Sequence, residues 1–217
     1  LLQLARQRAG QGPAGITLAN EFLDSGTDVL LLESGSFDFA AATQDLFRGT
    51  INNSVPWTPL HISRLRLCGG ASNHWEGACG PLNDIDYRVR SWIPRSGWPL
   101  GPDEMQAYYP RASEVIGLGA LSYTPADWAS AERPLIPLGK AFETVMRHQQ
   151  ATLFGQVYRD KLANSRNVRM LLNANLTRIN RCADGGSVES LTVRSLSGKS
   201  ITVHAGNYIL ACGGIEN

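Results

Sequence analysis

The sequence has little of what marks a nucleic-acid-binding or membrane-spanning protein. Its 20 basic and 19 acidic residues give a net charge of +1, and they form neither a basic tail nor an acidic run. A chain without such a patch lacks the electrostatic footprint that attracts a nucleic acid. No apolar run approaches the ~20 residues that span a bilayer, so we expect no membrane span. The length of 217 residues predicts one or two globular domains.

Cysteine and histidine are sparse and scattered. The four cysteines form no C-x-x-C pair, and the four histidines lack the spacing of metal ligands. This distribution argues against a zinc knuckle and against a thioredoxin-like redox site. We therefore expect reduced, mostly buried thiols and no metal site.

The most informative stretch is Gly10-Gln11-Gly12-Pro13-Ala14-Gly15, which has the form G-x-G-x-x-G. A helical pattern follows it, then the apolar run Val29–Leu32, and then Glu33 about 20 residues beyond the glycines, where a dinucleotide-binding fold places its ribose-binding acid. Gly10 permits the tight turn, Gly12 lets the backbone approach a pyrophosphate, and Gly15 allows close packing of helix and strand. The helix N-terminus supplies free N–H groups for the phosphates, so the unit predicts dinucleotide binding.

The segments on either side of this motif match a dinucleotide-binding fold to different degrees. The helix is expected to end at Ser25-Gly26, where glycine can adopt the left-handed conformation. The segment before Gly10 carries Arg6, Gln7 and Arg8, which suit a buried central strand poorly, and the sequence begins with Leu rather than Met. We therefore expect that the true first strand is missing or altered. Residues 34 to 59 show no clear period and predict a long irregular surface connection.

A second glycine-containing stretch runs from Arg64 to Gly77. Its adjacent Gly69 and Gly70, followed by small polar residues, would let backbone lie against a flat or anionic ligand, and they would equally suit a tight structural turn. Farther along, the pattern predicts a helix from Asp103 that is interrupted at Pro110 and another helix over roughly residues 139 to 150, with Phe142, Val145 and Met146 on its apolar side.

The last third of the sequence reads as strands joined by tight turns. Turns are predicted at Asp184-Gly185-Gly186 and Ser197-Gly198-Lys199, which indicates an antiparallel meander that returns to one more buried strand. The predicted strands are Val168–Leu172, Leu176–Ile179, Val188–Val193, Ile201–Val203 and Tyr208–Ala211.

Taken in order, these pieces resemble the glucose–methanol–choline family of FAD-dependent oxidoreductases, from Gly10 to Asn217. The sequence Asn73-His74-Trp75 resembles that of the family branch that acts on sugars and sugar acids, such as pyranose oxidases and the fructose and gluconate dehydrogenases. The motifs that carry the resemblance are the nucleotide fingerprint with Glu33, Gly69-Gly70-x-Ser72-Asn73-His74-Trp75, Ser96-Gly97-Trp98-Pro99, Tyr108-Tyr109, Asn173–Ile179 and Ile209–Asn217.

The resemblance implies a role for each matching position. Gly10, Gly12 and Gly15 would hold the FAD pyrophosphate, and Glu33 would bind the adenosine ribose. Leu176 would present backbone to the adenine, and Gly213 would pass close to the cofactor near the pyrophosphate. The flavin end would be lined by Arg66, Cys68, Gly69, Gly70, Ser72, Asn73 and His74. We consider His74 a candidate for a covalent bond to the flavin, the alternative being a neighbour of a non-covalent one.

The sequence also departs from this family, whose members are more than twice as long. Their catalytic base lies near the C-terminus, beyond Asn217, so no catalytic residue is assigned in this chain. The predicted fold is an α/β, Rossmann-like FAD-binding domain with a parallel sheet, an antiparallel meander and a helical insertion, incomplete at both ends. The FAD-binding domain is expected over 1–100 and 164–217, with the helical insertion over 101–163.

The resemblance implies an oxidoreductase that transfers hydride from a CH–OH group of a sugar or alcohol to FAD. It leaves the electron acceptor open between oxygen, a quinone and a cytochrome. Two alternatives remain: a non-catalytic nucleotide-binding remnant, and a nicotinamide-dependent dehydrogenase with the same fingerprint. The second Gly-Gly segment and the meander argue against the dehydrogenase, because a plain doubly wound domain needs neither.

Overall fold

The computed structural model describes residues 6–9, 12–52, 58–139 and 142–217. Two compact units divide the chain: the first combines residues 1–75 and 153–217, and the second comprises 76–152. The strands are β1 (Arg6–Ala9), β2 (Val29–Leu32), β3 (Ala78–Cys79), β4 (His148–Gln149), β5 (Val168–Leu171), β6 (Asn175–Arg181), β7 (Val188–Arg194), β8 (Ser200–Val203) and β9 (Asn207–Leu210). The helices are α1 (Pro13–Asn20), α2 (Ala41–Gln44), α3 (Leu60–Ser63), α4 (Asp84–Tyr87), α5 (Pro102–Gln106), α6 (Tyr109–Val115), α7 (Phe154–Val157) and α8 (Arg159–Ala163), with 3₁₀ turns at Asp45–Phe47, Gly70–Asn73 and Pro125–Trp128.

A four-stranded parallel sheet forms the centre of the first unit. Its spatial order is β5-β2-β1-β9, so the strands lie in the order third, second, first, fourth of the sheet. These are the first four positions of the Rossmann order 3-2-1-4-5-6, in which each crossover returns the chain to the sheet in parallel. The expectation that the terminal strand shares a sheet with Val29–Leu32 is confirmed, because β1 pairs with both β2 and β9.

The backbone of Arg6–Ala9 forms the strand that the sequence made doubtful. It pairs in register with Val29–Leu32 on one side and with Asn207–Leu210 on the other. The expectation that this segment is unsuited to a central strand is therefore wrong, since its backbone forms one. The reason is that pairing on both edges satisfies the N–H and C=O groups of the strand whatever its side chains.

Helix α1 begins with Pro13 in its first turn and buries Ile16 and Ala19, which show no exposed surface. Proline suits this position because its missing N–H would lack an intrahelical partner there. The helix is shorter than predicted: it ends at Asn20, and the chain reaches β2 through turns in which Asp24 and Gly26 have φ of 55° and 73°. The predicted left-handed conformation at Gly26 is confirmed.

The antiparallel meander is also confirmed, as a three-stranded sheet in the order β6-β7-β8. Val168–Leu171, expected among the strands of the meander, instead pairs with β2 in the parallel sheet. The inward side chains of the meander join the end of β2 in one hydrophobic cluster that excludes water from this side of the parallel sheet. The buried members of the cluster are Leu32, Ala174, Leu191, Val193 and Val203.

The second unit contains helices α4 to α6 and the small sheet β3-β4. The break predicted at Pro110 is confirmed, because α5 ends at Gln106 and α6 begins at Tyr109. The helix predicted over 139–150 is wrong. His148–Gln149 pairs as a strand with Ala78–Cys79, and Phe142 and Val145 are exposed by 72% and 50%. A short helix in a protein is stabilised mainly by packing of its apolar face, and apolar side chains that stay exposed provide no such packing.

The boundaries of the two units differ from the domain boundaries expected from the sequence. Residues 76–100, expected in the first unit, belong to the second, and residues 153–163, expected in the helical insertion, belong to the first. The pairing of β3 with β4 keeps the former with the middle of the chain. In the first unit, α7 packs on the turn at Gly70–Asn73.

Candidate functional site

A cavity of about 560 Å³ opens at the carboxyl ends of the parallel strands. The segment after β2, the segment after β9 and the start of α1 all reach it, together with the Arg64–Ala71 stretch and the beginning of β6. Ligands of open α/β sheets bind in this crevice, where the loops diverge. Position in the fold therefore makes this cavity the candidate site.

The start of α1 offers backbone N–H groups to the cavity. Gly12 occupies the N-cap, and no side chain caps the helix. The first-turn N–H groups, at Ala14 and Gly15, have no partner within a helix, and the helix dipole makes this end positive. A Cβ built on Gly12 meets no atom within 4 Å, whereas a Cβ on Gly70 would lie 3.3 Å from the Gly12 Cα. Two glycine backbones thus approach each other beside open space.

Glu33 lies directly after β2 and is buried, with 6% of its surface exposed. One carboxylate oxygen accepts a hydrogen bond of 2.8 Å from the Gly35 N–H. The Glu33 backbone is held on both sides, since its N–H donates to Leu171 and its carbonyl accepts from Ala174. The carboxylate is therefore fixed at the cavity wall by the loop that follows its own strand.

Two arginines form the positive part of the wall. The Arg64 and Arg66 guanidinium carbons lie 3.9 and 4.0 Å from the centre of the Phe47 ring. Their nitrogens contact the two carboxylate oxygens of Glu216 at 2.8 and 3.2 Å. Arg66 also donates a 2.6 Å hydrogen bond to the Ser34 hydroxyl. The cluster joins segments more than 150 residues apart in the sequence.

Gln44 fixes the backbone of the segment that carries the two arginines. Its side-chain nitrogen donates to the carbonyls of His61 and Arg64, each at 2.7 Å, and its side-chain oxygen accepts from the Arg66 N–H at 2.9 Å. Gln44 is 6% exposed, so these bonds form in a buried environment. The stretch from residue 34 to 59 is therefore no plain surface connection, because it contributes Gln44 and Phe47 to the structure of the site.

The Gly69–His74 stretch forms a tight turn. The Ser72 hydroxyl donates to the Gly69 carbonyl at 2.7 Å, and the Asn73 amide donates to the carbonyls of Cys68 and Gly70, each at 2.9 Å. Gly69 has φ of +92°, which favours glycine, and a Cβ there would lie 2.6 Å from the Gly155 nitrogen. These contacts fix the conformation of the turn, which packs against α7.

The cysteine of this stretch is a buried thiol. Burial, and secondarily the Glu33 carboxylate, raise the pKa of Cys68 to about 12. A thiol that stays protonated is a poor nucleophile, so Cys68 acts as a packing residue. Cys212, at the end of β9, lines the cavity, and burial raises its pKa as well.

The predicted site residues fall into three groups. Gly10 lies outside the described residues, and Gly15 is buried within α1. Outside the cavity lining lie Cys68, Gly69, Ser72, Asn73 and His74, of which His74 is exposed. The structure brings six of the predicted residues to the cavity: Gly12, Glu33, Arg66, Gly70, Leu176 and Gly213.

Several cavity residues were not predicted. Ser34 and Asn175 adjoin predicted positions, and Arg64 precedes Arg66 by two residues, so nearness in the sequence to a predicted residue was a signal for all three. Phe47 and Glu216 carried none, since Phe47 lies in an aperiodic stretch and Glu216 reaches the site only through the fold. Within the described ranges, no group of acidic, histidine or cysteine side chains could hold a metal ion. In the same part of the chain, no helix has the length and apolar character needed to cross a bilayer.

No protein-family model and no curated protein sequence matches this chain. Solved structures do match. Formate oxidase aligns over 95% of this chain and 45% of its own, with 15% identity and a TM-score of 0.55. Pyridoxine 4-oxidase from Mesorbium loti aligns over 98% and 50%, with 19% identity and a TM-score of 0.57. An FAD-dependent oxidoreductase from Chaetomium thermophilum aligns over 98% and 46%, with 18% identity and a TM-score of 0.57.

The chain thus spans about half the length of the structures that it matches. At these identities the similarity shows a shared fold. That fold contains a parallel sheet and an antiparallel meander in one α/β unit, as predicted. The resemblance of this chain to the glucose–methanol–choline oxidoreductases is therefore confirmed at the level of the fold.

Proposed function

We propose that this chain is the FAD-binding portion of an oxidoreductase that transfers hydride from the CH–OH group of a sugar or alcohol to FAD. One observation carries the proposal: a cavity at the carboxyl ends of a Rossmann-ordered sheet combines a free helix N-terminus, a buried carboxylate and glycine backbone. The proposal is supported by the fold, which is that of an FAD-dependent oxidoreductase and of two oxidases.

The residues of the cavity fit a dinucleotide. The space beside Gly12 would hold a diphosphate against the N–H groups of Ala14 and Gly15, because no Cβ occupies it. The Glu33 carboxylate can accept hydrogen bonds from ribose hydroxyls. Leu176 also lines the cavity, and its backbone would suit the adenine. At the end of β9, Gly213 has φ of +90°, and a Cβ there meets no atom within 4 Å.

When bound, FAD supplies the hydride acceptor through its isoalloxazine ring, and the chain supplies position and electrostatics. A base must take the hydroxyl proton of the substrate. Among the described residues, no imidazole lines the cavity. His148 contacts the Ser122 carbonyl at 2.8 Å, and His204 contacts the Glu189 carbonyl at 3.2 Å. We propose that the base lies outside these 217 residues.

The antiparallel meander disfavours the nicotinamide alternative. Leu191, Val193 and Val203 of the meander share a core with Leu32 of the parallel sheet, so the meander is an integral part of the unit. A doubly wound nicotinamide-binding domain covers that face with helices instead. The meander thus favours FAD over a nicotinamide cofactor as the ligand of the glycine fingerprint.

The proposal is tested by two measurements on the purified polypeptide. We expect the apoprotein to bind FAD, with a change in the visible flavin spectrum, and to bind NAD more weakly, because NAD lacks the isoalloxazine ring. We expect no turnover with sugars or primary alcohols, because loss of a general base costs roughly 10²- to 10⁴-fold. Turnover by this chain alone would place the base within it, and preferential binding of NAD would refute the flavin assignment.

A further inference from the structure

The guanidinium groups of Arg64 and Arg66 lie on one aromatic ring and share one carboxylate. Both lie within about 4 Å of the Phe47 ring centre, and each contacts one oxygen of Glu216. Only 18% and 13% of their side-chain surfaces are exposed. Two like charges that are largely shielded from water repel each other strongly, so an anion beside them is needed to stabilise this arrangement.

The anion that the chain supplies is incomplete. Glu216 brings one negative charge to two positive ones, which leaves a formal charge of +1 among these three side chains. The other carboxylate of the cavity, that of Glu33, accepts a hydrogen bond from the Gly35 N–H. The Arg66 Nε is buried and, within the described residues, has no hydrogen-bond partner. A buried guanidinium nitrogen without a partner is unfavourable, and its donor capacity remains available to a ligand oxygen.

Hydrogen bonds other than those to Glu216 also hold the two arginines. The Arg66 Nη1 donates to the Ser34 hydroxyl, and the Arg64 Nε donates to the Leu60 carbonyl at 3.3 Å. Gln44 fixes the backbone of both residues. Glu216, in contrast, is 34% exposed and lies in a short terminal stretch after β9. The positive groups are therefore preorganised, and their carboxylate partner is the weakly held part.

We propose that Arg64 and Arg66, stacked on Phe47, form a binding site for a phosphate-type oxyanion, which Glu216 occupies until the ligand displaces it. All four residues line the same cavity as Gly12 and Glu33. Planar guanidinium groups suit the paired oxygens of a phosphate. The identity of the oxyanion as the FAD diphosphate rests on the function proposed above, whereas the anion site itself does not.

The test compares three ligands in titrations of the whole protein at low and high salt. FAD carries the diphosphate, riboflavin carries the ring without phosphate, and inorganic pyrophosphate carries the anion alone. The variants are Glu216→Gln, which removes the internal anion, and Arg64→Gln, which removes one donor group. Asp45→Asn is the matched control, since Asp45 is an exposed acid that pairs with Arg48 outside the cavity.

We expect Glu216→Gln to tighten FAD and pyrophosphate binding about three- to tenfold at low salt, and less at high salt. Arg64→Gln should weaken both ligands about tenfold, since a charge-assisted hydrogen bond is lost. Riboflavin binding should not change in either variant, and Asp45→Asn should behave as the unaltered protein.

Each departure from this pattern decides a separate point. Equal or weaker pyrophosphate binding in Glu216→Gln would overturn the inference, because Glu216 would then position the arginines. Pyrophosphate binding that follows the expected pattern without any FAD binding would uphold the anion site and refute the proposed function. Binding of neither ligand by any variant would refute both.

Discussion

Replacing Gly12 with alanine should leave the fold intact and weaken FAD binding. Gly12 has φ of −71° and ψ of 177°, an extended conformation that alanine adopts without strain. A Cβ at this position meets no atom within 4 Å, so the protein itself has room for the methyl group. The same space is where the diphosphate would lie against the start of α1. The substitution therefore separates the structural and the binding requirements at one residue.

The expected magnitudes follow from these contacts. Alanine restricts the unfolded chain, which stabilises the fold by about 0.4–1 kcal/mol, whereas it is a poorer helix N-cap than glycine by a similar amount. The two terms offset, so the free energy of unfolding should change by less than about 1 kcal/mol. A methyl group forced against the ligand costs about 1–3 kcal/mol, which corresponds to about 5- to 150-fold weaker FAD binding.

The assay combines denaturant unfolding with FAD titration, and Gly155→Ala is the matched control. A Cβ at Gly155 would overlap the Cys68 carbonyl oxygen, which is backbone and has little freedom to move. Gly155→Ala should therefore lose about 1–3 kcal/mol of stability. Normal FAD binding by a folded Gly12→Ala protein would refute the placement of the diphosphate, and a loss of stability above about 2 kcal/mol would refute the reading of the open space.

Three further outcomes are expected. Gln44→Ala should lower the free energy of unfolding by about 3 kcal/mol in urea, because two carbonyls and one N–H lose a buried partner; an unchanged midpoint would contradict this. Since the folded pKa of Cys68 is about 12 against a reference of 9.0, stability should fall as pH rises from 9 to 12, and a Cys68→Ala protein with the same slope would disprove that origin. Finally, if His74 tethers the flavin of the proposed flavoprotein, the yellow colour should stay with acid-denatured protein and disappear in His74→Ala; colour released into the supernatant would make His74 a neighbour only.

Local patterns in the sequence were enough for the elements that define the fold. The apolar run at Val29–Leu32, the glycine fingerprint and the turns at Gly185 and Gly198 each depend on near neighbours in the chain. For the same reason the spacing of the fingerprint was enough to predict one site for Gly12 and Glu33. Gly213 was predicted there only through the family resemblance, and all three residues line the cavity.

The parts that sequence patterns missed depend on contacts between distant segments. Phe47 receives two arginines, and Glu216 reaches them from 150 residues away, so neither shows a local signal. The helix expected over 139–150 failed because His148–Gln149 found a strand partner at Ala78–Cys79. Tertiary pairing overrode a helical pattern whose apolar side chains remain exposed.

The most direct test of the central claim is the crystal structure of the protein with FAD bound. We expect the diphosphate against the Gly12–Ala14 backbone, ribose oxygens at the Glu33 carboxylate and the adenine beside Leu176. We also expect a phosphate oxygen at the Arg64–Arg66 pair, with Glu216 moved away. Ordered FAD bound elsewhere, with this cavity filled by solvent, would contradict the account.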